Sequence, residues 1–586
     1  MIEAFRATLS QLPKPMERAL QLSKRSLVSV GVFSGTANLL MLVPAFFMLS
    51  VYDKAVGNNS VSTLWVLSGL TAVMFLALGI METVRSRVLI AISERLDHIL
   101  GPSIYEAMFR HSVEIGAHRA TSQPIADLNS LRQFLTGVGV LALFDAPWLP
   151  IYIVILFLFH PLLGWMGVIA ALLFLFVALL NQRVTSAALM EANSLAARNN
   201  ADTGRNLRNA EVAKVLGMMD ELQRQWREKQ TTVIEKQGYA STKASTFNAV
   251  TKTLRLAVQS AALAAGAYLA LVQEISPGMI IAGSILIGRA LQPVEMAVGA
   301  WKGYVDARDQ YKRLAELLTK VPPAPQRMPL PPVVGKLTVT EAAISAPGSL
   351  QPLVTEASFQ CSPGTATMVV GPSGAGKSTL IRGILGVWPT VMGTVRLDDA
   401  EIKHYGETEL GPQIGYLPQD IELLQGSVSE NIARFGELDA DGVVQAAMDA
   451  GVHEVILSLD DGYDTQIEMA GGMLSPGQRQ RIALARALYK RPKLVLLDEP
   501  NSNLDEAGEL ALNSAITLLK ESGSTVIIVS HRQTILPLID QLVVMAKGRV
   551  VDVGSVDEVA RNVNAVSAQR AKTKKIRPTT TVVPVG

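Results

Sequence analysis

At 586 residues the chain is too long for a single domain, so two or more are expected. With 49% hydrophobic and 18% charged residues and a mean hydropathy of +0.28, it is too apolar for an ordinary soluble protein of this size, and membrane spans are to be sought. A formal net charge of +2 argues against a dedicated nucleic-acid surface, and the single cysteine, Cys361, excludes an internal disulfide framework or a cysteine-rich metal site.

The first 26 residues are mixed and charged, with no small-residue cleavage site after the first apolar run, so a cytoplasmic N-terminal segment is expected rather than a cleaved signal. Apolar runs follow in three close pairs: Leu27–Tyr52 with Thr63–Met81, Leu141–Phe159 with Leu162–Leu180, and Leu256–Val272 with Met279–Val298. At about 1.5 Å per helical residue, each crosses most or all of roughly 30 Å of hydrocarbon. The last run is the weakest, because Arg289 and Glu295 interrupt it. Lys and Arg crowd the N-terminal segment (Lys14, Arg18, Lys24, Arg25) and the two long connections (Arg85 to Arg132, with Arg119 among them, and Arg183 to Lys214). The short loops hold little beyond Lys54, which places the long connections and both termini in the cytoplasm. Those connections are rich in helix formers, so the spans are expected to continue into the cytoplasm. Pieces at Thr121–Leu131 and Asn199–Leu216 break the pattern, with Pro124 and Gly204, and suit short cross-wise helices or simple turns. Asp145, in Phe144-Asp145-Ala146-Pro147-Trp148, is either a functional intramembrane acid or a structural corner; the neighbouring Pro and Trp favour the corner.

The proline-dense stretch from Val321 to Pro332 cannot continue a helix and marks a linker, assigned to 321–335, between a transmembrane domain over 27–320 and a second domain over 336–562. The second domain has an α/β texture. A basic tail, 563–586, carries Arg570, Lys572, Lys574, Lys575 and Arg577, and is expected to be a solvated tail.

Within the second domain, Gly371-Pro372-Ser373-Gly374-Ala375-Gly376-Lys377-Ser378, followed by Thr379, fits the phosphate-loop pattern G-x-x-x-x-G-K-[ST] at every fixed position. A buried strand, Ala366 to Val370, is expected to feed in, and a helix, Thr379 to Gly386, to lead out. Glycines let successive N–H groups turn toward a phosphate, the helix N-terminus adds partial positive charge, Lys377 reaches the β- and γ-phosphates, and Ser378 ligates Mg²⁺. Leu494 to Glu499 is an apolar strand ending in two acids. Asp498 suits Mg²⁺ held through water, and Glu499 suits polarising the water that attacks the γ-phosphate. Ser475, Gly477 and Gln478 precede a helix and make a second anion cradle, of use on one triphosphate only if two chains face head to tail. His531, ending another apolar strand, is a candidate donor to the γ-phosphate, and Gln419 a candidate contact to Mg²⁺ or water.

With these residues collected, the chain resembles an ABC transporter: GPSGAGKST resembles the Walker A loop, YLPQD the Q-loop, LSPGQRQR the signature, LVLLDEP the Walker B strand, SNLD the D-loop with Asp505, and VSHR the switch-histidine motif. Six spans fused to one nucleotide-binding domain resemble the exporter half-transporter. This implies an all-α six-helix transmembrane domain followed by an α/β P-loop NTPase domain, and a homodimer with two ATP molecules between Walker A of one chain and the signature of the other. More narrowly, GVFSGTANLLMLVPAFFMLSVYDKAV, LFDAPWLPIY and ELLQGSVSENIARF are similar to the type I protein secretion ATPases, the PrtD-like protease and lipase exporters. That resemblance implies ATP-driven export of an unfolded protein with a C-terminal signal across the bacterial inner membrane, beside a periplasmic adaptor protein and an outer-membrane channel. No peptidase-like stretch precedes the first span, which disfavours the leader-cleaving exporters. The alternatives are a lipid or drug exporter and, against the paired spans, a soluble ATPase of the same family. Two departures stand out: Pro476 where the signature usually has Gly, and no aromatic residue between Leu337 and Ser358 to stack on adenine.

Overall fold

The computed structural model describes residues 13–116, 121–323, 327, 330–349, 351–467 and 474–562. Arg119, much of the proline-dense stretch and the basic tail lie outside these described residues. The chain forms two compact units, the first holding the described residues up to Pro323 apart from 113–116, and the second holding the rest.

Among the described residues of the first unit, six helical segments are long and apolar enough to cross a membrane: Lys14–Val56, Val61–Ile115, Val138–Phe159, Pro161–Arg208, Met219–Leu271 and Pro277–Gly299. Each matches one expected span. The second runs for 55 residues, roughly 80 Å of helix, and therefore extends far beyond the hydrocarbon. Prolines set the irregularities. Pro44 has no N–H for the Leu40 carbonyl, and the first span turns at Met41–Leu42, resumes at Val43–Ser50 and ends in a π-helical turn, Val51–Val56. Pro147 does the same in the third span, where Ala146–Trp148 is a 3-10 turn between Val138–Asp145 and Leu149–Phe159. The fourth span's helix continues through Gly204 to Arg208 and breaks at Asn209 instead, before a short helix at Ala210–Val215. Gly204 has open space around it, so nothing forces a turn there.

A buried polar knot ties the first three spans. Asn38 Nδ2 donates to Asp145 Oδ1 (2.7 Å), Arg85 Nη1 donates to the same oxygen (2.9 Å), and Tyr152 donates its hydroxyl to the Asn38 carbonyl (2.9 Å). Asp145 is thus the corner that its proline and tryptophan suggested. The helix Gln123–Leu135 is pinned to Trp301–Lys320 by a two-pronged pair, Arg313 to Asp127, both contacts at 2.7 Å.

The second unit contains strands β1 (Leu337–Ser345), β2 (Pro352–Cys361), β3 (Ala366–Val370), β4 (Thr390–Leu397), β5 (Ala400–Glu401), β6 (Ile414–Leu417), β7 (Gly426–Ser427), β8 (Gln466–Ile467), β9 (Leu494–Asp498), β10 (Thr525–Val529), β11 (Gln541–Ala546) and β12 (Arg549–Gly554). One sheet has the order β12-β11-β3-β10-β9-β6, parallel except for β12 at its edge, and a four-stranded antiparallel sheet has the order β2-β1-β4-β5. β9 and β10 are buried along their whole length, which is why Leu494–Leu497 and Val526–Val529 are unbroken apolar runs. Ligand sites in such sheets form beyond the carboxyl ends of the strands. The phosphate loop follows β3, Gln419 follows β6, Glu499 follows β9 and His531 follows β10. Cys361 is buried beside β3, accepts a bond from the Thr367 hydroxyl (3.3 Å), and burial pushes its thiol up to about 11.

Candidate functional site

β3 ends at Val370, and the chain turns through 371–376 into the helix Lys377–Ile384, which begins before the expected Thr379. Three glycines make the turn, Gly374 at φ +77° among them. Gly376 caps the helix at φ +97°, in the left-handed region. At Gly371 a Cβ would stand 2.3 Å from the Met545 carbonyl oxygen of β11, so a side chain there has no room. Pro372, Ser373 and Gly374 at the loop's apex are exposed, and Ala375 is buried beneath them. Lys377 is buried, and its Nζ donates to the Gly371 (2.9 Å) and Pro372 (3.1 Å) carbonyls, which keeps the ammonium inside the loop. Ser378 and Thr379 lie in the helix's first turn, where free N–H groups and the helix dipole favour an anion.

Asp498, at the end of β9, is buried, and neither of its carboxylate oxygens has a hydrogen-bond partner among the described residues. Burial pushes its carboxyl above the usual range. The neighbouring Ser378 hydroxyl pulls it down, Glu499 pushes it up, and Arg382 and Lys377 pull it down. A buried carboxylate with two free oxygens beside a serine hydroxyl fits a hard divalent cation. Glu499, next in sequence, sits at φ +52°, a conformation that a glutamate adopts only where its surroundings hold it. Its N–H is anchored on the Val529 carbonyl (2.9 Å) at the end of β10. Its carboxylate accepts from Gln419 Nε2 (3.3 Å), and His531 Nε2 lies 3.9 Å from the other oxygen. The structure therefore gathers Gln419, Glu499 and His531 around one carboxylate, with half of the His531 side chain open to solvent.

Ser475 caps the helix Pro476–Leu488 in a reciprocal box: its hydroxyl accepts from Gln478 N–H (3.2 Å), and Gln478 Oε1 accepts from Ser475 N–H (2.8 Å). Pro476 takes the first helical position, where the missing N–H would have had no intrahelical partner anyway, so this departure leaves the cap intact. No hydrogen bond or ion pair among the described residues joins Ser475, Gly477 or Gln478 to the phosphate loop of the same chain. Asp505 is spent locally. It caps the helix Glu506–Glu521 through the Gly508 N–H (2.9 Å) and pairs with Arg481, and both hold its carboxyl below the usual range.

Two residues have structural roles that their motifs did not reveal. Gln480, buried in the signature helix, donates to the Pro500 carbonyl and accepts from Asn503 N–H (3.1 Å), so it tethers the loop after Glu499 to that helix. Arg434, in the stretch ELLQGSVSENIARF, donates Nε to the Arg486 carbonyl (3.0 Å) and Nη2 to that of Ala487 (3.2 Å), closing the signature helix's C-terminal end. Gln480 stood in a quoted motif, but its partners lie 20 and more residues away and carry no local signal.

Family profiles match in both units: "ABC transporter transmembrane region" over residues 27–294 and "ABC transporter" over 354–502. The type I secretion system ATP-binding protein PrsD of Rhizobium meliloti is 42% identical over 92% of this chain and 93% of its own length. The cyclolysin secretion/processing ATP-binding protein CyaB of Bordetella pertussis is 30% identical over 88% of this chain and 73% of its own. Among solved structures, a bacterial Atm1-family ABC exporter with ATP bound superposes with a TM-score of 0.79 over 96% of this chain and 100% of that one, at 19% identity, a likeness of fold. The chain is a multi-pass, ATP-hydrolysing member of the ABC transporter family.

Proposed function

We propose that the protein exports an unfolded polypeptide across the bacterial inner membrane as the ATPase of a type I secretion system, working as a homodimer. The observation that carries protein export is the likeness to PrsD along nearly the full length of both chains. The same likeness supports a periplasmic adaptor protein and an outer-membrane channel as partners and a secreted substrate with a C-terminal signal. The Lys and Arg bias supports a cytoplasmic nucleotide-binding domain and cytoplasmic termini.

The phosphate loop holds the triphosphate, with Lys377 as its cation and Gly371 to Thr379 as its N–H cradle. Ser378 and Asp498, with Gln419 nearby, would hold Mg²⁺, which when bound neutralises charge on the phosphate oxygens. Glu499 orients the attacking water and accepts its proton as the bond to the γ-phosphorus forms and ADP leaves. His531 donates toward the γ-phosphate, and Gln419 reports its presence. Ser475, Gly477 and Gln478 face the triphosphate held by the second copy, because their own chain's loop offers them no bond. Asp505 supports that face through its helix cap.

The test compares the culture medium of cells carrying wild type or Glu499→Gln. The variant is expected to bind ATP and lose turnover by roughly 10²- to 10⁴-fold, the usual range for a general base, and one or a few extracellular proteins are expected to vanish. Retained hydrolysis would remove Glu499 from its role. An unchanged medium, with active wild type in the membranes, would overturn protein export in favour of a small-molecule or lipid substrate.

A further inference from the structure

The sixth span carries a charge where the bilayer least tolerates one. Arg289 stands at the middle of the 23-residue helix Pro277–Gly299, and no acidic partner is found for it among the described residues. Among the described residues its Nη1 donates to Gln292 Oε1 (3.0 Å), one turn on. Below it, Arg255 of the fifth span pairs with Glu295 (2.7 Å), which cancels those two charges and leaves Arg289 in excess. The two helices approach closely: at Gly288 a Cβ would stand 2.0 Å from Gln259 Nε2, so that glycine makes room for the amide to lie across the sixth span. Pro293, four residues beyond Arg289, has no N–H to return to the Arg289 carbonyl, which leaves a backbone acceptor at the same level. Arg255, Gln259, Arg289, Gln292 and Glu295 line one cavity of about 520 Å³.

An uncompensated guanidinium at that depth is stable only against water, protein or a bound anion. Lipid headgroups lie at the interface, far from the middle of a span. We propose that this cavity is a substrate-contact site that receives the carboxylates of an acidic polypeptide in transit, with Arg289 as the charge reader and the Gln259 and Gln292 amides beside the peptide backbone. The proposal rests on the protein-export reading. Arg289 presents paired donors suited to a carboxylate, and the amides offer both donors and acceptors.

The test uses the full-length protein in phosphatidylcholine liposomes with Met296→Cys as a reporter on the cavity wall; native Cys361 is buried and silent. Anionic methanethiosulfonate is expected to modify Cys at 296 faster than a cationic reagent of the same size, and Arg289→Gln to abolish that preference, while Arg289→Lys keeps it. Synthetic Gly/Ser peptides of equal length, interspersed with Glu, Gln or Lys, are then added as protectants. The Glu peptide is expected to protect at about tenfold lower concentration than the Gln peptide, one charge-assisted contact's worth of affinity, and Arg289→Gln to erase the gap. Equal protection by all three peptides overturns the proposal, as does a cavity closed to both reagents. Protection by anionic lipid in place of peptide assigns the site to a headgroup and also overturns it. These outcomes are read in vitro and are separable from the culture-medium result, whose failure would strike protein export itself.

Discussion

Lys377 illustrates how one side chain serves two states. Its ammonium is held by two carbonyls of its own loop, at 2.9 and 3.1 Å, so the loop's curl is braced and the charge already lies where a phosphate would meet it. Lys377→Ala removes both, and a bond from a charged donor is worth about 1.5–3 kcal/mol. Nucleotide affinity is therefore expected to fall by at least about tenfold, measured by titrating a fluorescent ATP analogue onto the purified protein. Unchanged affinity would contradict the cradle. Glu499 makes the complementary point: its backbone strain at φ +52° was not visible in the run Leu-Asp-Glu, whereas the residue's candidacy was, because a strand ending in two acids downstream of a phosphate loop is a local pattern.

At the scale of elements, what was legible was local and what was not was tertiary. The strand Ala366–Val370 is observed over the residues expected of it, since a short, mostly apolar run rich in β-branched residues between Gly364 and Gly371 leaves little choice. Each apolar run matches one spanning helix for the same reason, the fifth overrunning its helix by one residue, Val272. The break at Pro44 follows from a missing N–H inside a run whose apolar texture masks it, while the continuation through Gly204 depends on the open space around it, which composition does not encode. Likewise Asp145 stands out in the sequence, but its partner Arg85 lies 60 residues away on another span. That pair yields a prediction. Arg85 and Asp145 are 3% and 6% exposed, and removing one member of a buried pair costs about 3–5 kcal/mol. Asp145→Ala is expected near the low end, because Glu82 also holds Arg85 at 2.7 Å. The double variant Arg85→Met/Asp145→Leu, apolar on both sides, is expected to recover most of the loss in thermal melting of the detergent-purified protein. A double variant no better than the single one would mean that the pair's value lies in its hydrogen bonds to Asn38 and Glu82, not in mutual neutralisation.

For the whole molecule, the decisive question is which phosphate loop a given signature serves. Within one chain Ser475 and Gln478 satisfy each other, and neither reaches the loop at Lys377. A helix N-terminus that is capped yet open to solvent is suited to a ligand delivered by another molecule, and a two-fold arrangement supplies one loop and one signature to each of two sites. Lys377→Ala and Ser475→Arg should each silence both sites of their own homodimer, the first by losing the cation and the second by blocking the cradle. In a hybrid dimer, however, the intact loop of one copy meets the intact signature of the other, leaving one working site and one doubly broken. Co-expression with two different affinity tags allows that hybrid to be purified. It is expected to regain hydrolysis to the level of a hybrid between wild type and Lys377→Ala, which also has one intact site. If the control hybrid hydrolyses ATP and the mixed hybrid does not, loop and signature act within a single chain, and the head-to-tail homodimer is wrong.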